Sequence, residues 1–101
     1  MRTLILVFFI ALSTLSYSQK KELREAEKAF KKGEYTKSIA IIADNKSLFD
    51  SADDKTKNKV KFLSARIDQI NKNYSAAMSA YFDLKDDSTL KLDVLERLNS
   101  L

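Results

Sequence analysis

Residues 20–42, KKELREAEKAFKKGEYTKSIAII, decide the fold. Leu23, Ala26, Ala29 and Phe30 recur at the three- and four-residue spacing of one helix face, with Lys and Glu between them. Gly33 then supplies a stop of the kind that ends helices. Tyr35, Ile39 and Ile42 open a second apolar stripe only two or three residues later, so the two helices must fold back as an antiparallel hairpin. The second helix is expected to run to about Phe49.

Downstream the same grammar repeats. Ser51 followed by Asp54 reads as a capping-box-like start, with Asp in place of the preferred Glu or Gln. A third helix follows, carrying a buried seam of Val60, Leu63, Ile67 and Ile70, and Asn71-Lys72-Asn73 makes a polar turn before Tyr74. Ala77, Ala80, Tyr81 and Leu84 mark a fourth helix. Asp87 or Ser88 can cap a fifth, with Leu95, Leu98 and Leu101 along one face. A chain with no Pro and one Gly lacks the punctuation of hairpins and long loops, so an all-helical protein is expected.

Upstream the character changes abruptly. Met1-Arg2-Thr3 is a short positive segment, Leu4 to Leu12 (LILVFFIAL) an apolar run, and Ser16 and Ser18 are small residues spaced as signal peptidase reads them. This pattern predicts a signal peptide over 1–18, a mature start at Gln19 and export to the periplasm or beyond the cell. The run is short for a bilayer span, and the alternatives are an uncleaved N-terminal anchor or a buried first helix.

Composition narrows the function. Cys and His are absent, which removes disulfides, thiolate chemistry and the side chain that most often binds metals or shuttles protons near neutral pH. The formal charge of +4, one unit of it on Arg2, is ordinary for solubility. Lys and acidic residues alternate through 20–32 and 53–61, which argues against a cationic row for nucleic acid. The pairs Asp53-Asp54 and Asp86-Asp87 precede predicted helices and read as caps. No nucleophile stands beside an identifiable base, so the expectation is a non-enzyme with no catalytic, cofactor or metal residues.

The two hairpins align with each other: Lys32-Gly33-Glu34-Tyr35 with Asn71-Lys72-Asn73-Tyr74, and Ser38-Ile39 with Ala77-Met78, at an interval of 39 residues. The pattern resembles the tetratricopeptide repeat. Ala26, Gly33, Glu34, Tyr35, Ser38 and Ile42 match it in the first copy, and Ala65, Tyr74, Ala77 and Tyr81 in the second. The early aromatic of the first helix and the closing Pro are missing, and the interval is about five residues longer than the usual ~34.

The resemblance implies a short solenoid of stacked antiparallel hairpins after residue 18, about five helices in all. Repeat one would span about 20–49, repeat two about 52–86, and a capping helix about 88–101. It also implies a polypeptide-binding module, whose groove would draw Leu23, Glu27, Phe30 and Lys31 from one repeat and Phe62, Arg66 and Gln69 from the next. The rivals are a structural or self-associating helical bundle and, further off, an enzyme. A protein or peptide partner is expected, with self-association left open and no stable membrane insertion once the signal is removed.

Overall fold

The computed structural model describes the backbone of residues 2–100 except 88–89, and side chains from Leu15 onward. Six helices are present among these residues, α1 (Arg2–Lys31), α2 (Tyr35–Asp44), α3 (Lys46–Asp50), α4 (Asp54–Ile70), α5 (Tyr74–Leu84) and α6 (Lys91–Ser100), and no strand. The protein is all-helical. It divides into two compact units, Met1–Thr56 and Lys57–Leu101, with the first turn of α4 in the first unit and the rest of that helix in the second.

In the first unit α1 does not begin at Lys20 but runs unbroken from Arg2 through the expected cleavage point. The apolar run Leu4 to Leu12, on which the signal reading rests, lies outside the residues whose side chains are described. The first deeply buried described residue is Gln19, whose amide nitrogen donates to the Leu48 carbonyl (3.1 Å) and to Ser51 Oγ (3.4 Å), tying α1 to the end of α3. From there α1 buries Leu23, Ala26 and Ala29. Where α2 crosses, two small residues meet: Ser38, fully buried, donates its hydroxyl to the Ala26 carbonyl at 2.8 Å. Larger side chains at either position would hold the backbones apart.

The expected helix from Tyr35 to Phe49 is two helices. Asn45 turns its side chain back onto the Ile41 carbonyl (2.8 Å), which its own backbone N–H also reaches, so the chain leaves the α2 axis there. The break lets α3 bury Phe49. Ile39, expected in the α2 seam, is 38 % exposed, because Ser38 takes the crossing point.

The start of α4 also differs. Ser51 caps nothing; its hydroxyl donates to the Leu48 carbonyl, while Asp53 Oδ1 accepts the Thr56 N–H at 2.8 Å. That bond and one from the Thr56 side chain hold the Asp53 carboxyl below its ordinary 3.8, with Lys20 and Lys55 adding to the effect. A carboxyl depressed on folding contributes stability above its unfolded pKa, and the contribution is lost as pH falls through the lower folded value. Replacing Asp53 by Ala should lower the melting temperature at neutral pH, with the gap to the wild type closing as the pH is taken below 3.8.

Both hairpins turn in the same way. After α1, Gly33 N–H bonds the Phe30 carbonyl and Glu34 N–H the Ala29 carbonyl; after α4, Lys72 N–H bonds the Gln69 carbonyl and Asn73 N–H the Asp68 carbonyl. These are Schellman closures 39 residues apart, with Gly33 (φ 80) and Lys72 (φ 65) in the same left-handed position. In each, the next helix starts with an equivalent bond, from Ser38 to Glu34 and from Ala77 to Asn73.

The second unit packs on a cluster of Ala65, Ala77, Tyr81, Leu84 and Val94, with Phe62, Ala80, Leu90 and Leu98 against it. Of the expected α4 seam, Leu63 and Ile67 are buried, Val60 is half-buried and Ile70 is 43 % exposed, at the last position of the helix. Asp87 Oδ1 accepts the Leu90 N–H ahead of α6; Ser88 and Leu101, the other positions expected to matter here, lie outside the described residues. The residue of α6 that enters the core is Val94, fully buried, and Leu95 is 41 % exposed.

Candidate functional site

The residues expected to line a groove take different places in the two units. In the first, Leu23 is buried on the packed side of α1, and half-buried Phe30 sets its ring edge-on to Tyr35 at 5.2 Å, holding the hairpin turn. Glu27 is half-buried and Lys31 exposed.

In the second unit α4 brings Phe62, Arg66 and Gln69 to one side. The Arg66 guanidinium lies over the Phe62 ring (5.9 Å), and that ring is 5.9 Å from Tyr81. Gln69 bridges, accepting the Tyr81 hydroxyl at 2.9 Å and donating to Ser100 Oγ at 3.2 Å. Tyr81 itself is fully buried, and burial raises its phenol above the ordinary 10.0 against the opposing pull of Arg97 and Arg66. These three groove residues are therefore joined in one network that fastens α4 to α5 and α6.

Two surfaces go beyond the expected groove, although the first contains its Glu27 and Lys31. On the exposed face of α1, Lys21, Arg24, Lys28 and Lys31 form a row, with Tyr17 (63 % exposed) at its upstream end. Together with Glu25 and Glu27 they line an open groove of about 420 Å³. The alternation of Lys and Glu along the sequence thus becomes a file of cations flanked by Glu25 and Glu27, because positions three and four apart share a helix face. Counting by turns would have revealed it. On α5, Tyr74, Met78 and Phe82 are each about half exposed at four-residue intervals, on the flank of the face that buries Ala77, Tyr81 and Leu84. The Lys85 ammonium sits 3.9 Å over the Phe82 ring, and Ser75, Ser79 and Asp83 flank the stripe.

One member of each acidic pair is held by hydrogen bonds within the fold. Asp53 caps α4, and Asp87 holds the Leu90 N–H with one oxygen and the Asn58 amide (2.8 Å) with the other. Among the described residues no group of three or more acidic side chains could hold a metal ion, and no helix is long and apolar enough to cross a membrane.

Compared with family models, with curated proteins and with solved structures, the chain matches none of them.

Proposed function

We propose that the protein is an exported interaction module of tetratricopeptide type, a non-enzymatic scaffold that holds a polypeptide in the periplasm or outside the cell. The observation that carries this reading is the equivalence of the two hairpin turns, each a Schellman closure with a left-handed residue and an equivalent restart of the next helix. Small residues, Ala26 and Ser38 in one hairpin and Ala65 and Ala77 in the other, are all fully buried, as close helix pairing requires. Folds of this kind present helix faces to a partner, and their degenerate pairing residues serve the scaffold.

Affinity capture with the exported chain as bait, read by mass spectrometry, tests the module: a polypeptide recovered in fixed proportion supports it, and turnover in an activity screen abolished by one carboxylate substitution supports an enzyme instead. Export has its own test. Intact mass of the exported material should begin at Gln19; a membrane fraction retaining Met1 to Ser18 would show an anchor.

One observation favours a second reading, a structural subunit that associates with itself: the half-exposed Tyr74, Met78 and Phe82 stripe on α5. Sedimentation of the purified chain separates the two, since a module without a partner stays monomeric.

A further inference from the structure

We propose that the cationic row on α1 is the docking surface for an acidic helical segment of the partner. This deepens the reading of the protein as a polypeptide-binding module and rests on it. Lys21, Arg24, Lys28 and Lys31 follow one another at three, four and three residues, a narrow file about 15 Å long on one side of the helix. The file lies downstream of Gln19 and belongs to the chain whether or not the leader is removed.

Neighbours in this file are like charges at i,i+3 and i,i+4, a repulsion that Glu25 and Glu27, at the same spacings from the cations, offset in part. Three lysines elsewhere are paired: Lys37 lies 3.7 Å from Glu34, Lys46 2.9 Å from Asp50 and Lys61 2.9 Å from Asp83. None of the four cations of the row has an ion-pair partner among the described residues. They stand exposed on the face opposite buried Leu23, Ala26 and Ala29, so no part of the fold consumes their charge.

The flanks select the shape of the partner. At 100° per residue Glu25 falls on one side of the row and Glu27 on the other, giving its middle a negative–positive–negative cross-section, while exposed Lys20 and Lys32 widen the positive charge at its two ends. A flat anionic bilayer, or a duplex with its two phosphate rows, would press negative charge onto both glutamates. A rod with one file of carboxylates meets only the cations, and a helix with Asp or Glu at the same three- and four-residue spacing is such a rod.

The test uses the exported chain and a fluorescent helical peptide carrying glutamates at the spacing of the row, followed by anisotropy. A scrambled peptide of equal composition, vesicles of phosphatidylglycerol and single-stranded DNA serve as competitors. Binding should weaken about tenfold or more when Lys21, Arg24, Lys28 and Lys31 are all changed to Gln, and little when exposed Lys55, Lys57, Lys59 and Lys91 are changed instead. It should also fall steeply between ~0.05 and ~0.5 M salt. Circular dichroism of both variants checks that the helices persist.

Equal loss in the two variants, equal binding of the scrambled peptide, no binding, or tighter binding to the vesicles or DNA would each overturn the proposal. Repeating the affinity capture with the row variant separates the two levels. A partner recovered equally well by wild type and variant leaves the module standing and removes the row, whereas no partner for either removes the module.

Discussion

Replacing Tyr81 by Ala is expected to destabilise the second unit by about 3 to 5 kcal/mol, a large part of the ~5 to 15 kcal/mol that holds a small domain folded. Tyr81 is the largest fully buried side chain, its ring lies 5.9 Å from Phe62, and its hydroxyl is the link to Gln69. Truncation removes packing, leaves a cavity and frees the Gln69 carbonyl in one step. Thermal unfolding followed by circular dichroism should show the loss of α4, α5 and α6 at a much lower temperature. Tyr81→Phe keeps the packing and should cost only about 0.5 to 1.5 kcal/mol. The two differ in alkali as well. A phenol raised on folding contributes stability that is full below its unfolded value near 10.0 and is lost as pH climbs through the higher folded value, so the wild type should weaken above pH 10.0 more than the Phe variant.

Substituting Ser for both Val94 and Leu98 should have the next largest effect, about 2 to 4 kcal/mol. Val94 is fully buried in the cluster and Leu98 packs against it one turn later, so together they fasten α6 over α5. Opening that contact exposes Leu84 and Ala77 and should bring self-association, visible as rising light scattering during the melt. Leu92→Ser is the control: at 83 % exposure it should move neither signal. If the double variant melts and scatters as the wild type does, α6 is not a cover for this core.

How far these elements could be read beforehand varied with the number of local alternatives. The hairpin turns were legible because Gly33 and Asn71-Lys72-Asn73 each sit between two apolar stripes, and nothing nearby competes for the turn. The start of α4 was not, since Ser51 and Asp53 both carry an acceptor within reach, and only the path of the chain out of α3 decides that Asp53 is used. In α6 the sequence LKLDVLERL offers two seams, Leu92-Leu95 and Leu90-Val94-Leu98. Of the expected Leu95 and Leu98, Leu98 packs against the core, but the residue buried a turn before it is Val94, one position or 100° around the helix from Leu95. The break at Asn45 was hidden by the apolar residues around it, although a side chain that competes with the backbone was a readable warning. For the candidate surface, the repeat resemblance put Phe62, Arg66 and Gln69 in one groove, and they do share a side of α4, but their tie to Tyr81 and Ser100 depends on how α5 and α6 return, which the repeat pattern does not encode. The α1 row needed no tertiary information at all.

The two left-handed turns are the same in shape but not in cost. Gly33 adopts φ 80 without steric penalty, while Lys72 at φ 65 carries a Cβ into a region that costs an ordinary residue about 1 to 2 kcal/mol. The first hairpin thus closes on an unstrained hinge and the second on a strained one, so the Lys72 turn is held shut by the burial of Tyr81, Leu84 and Val94, a debt the Gly33 turn does not carry.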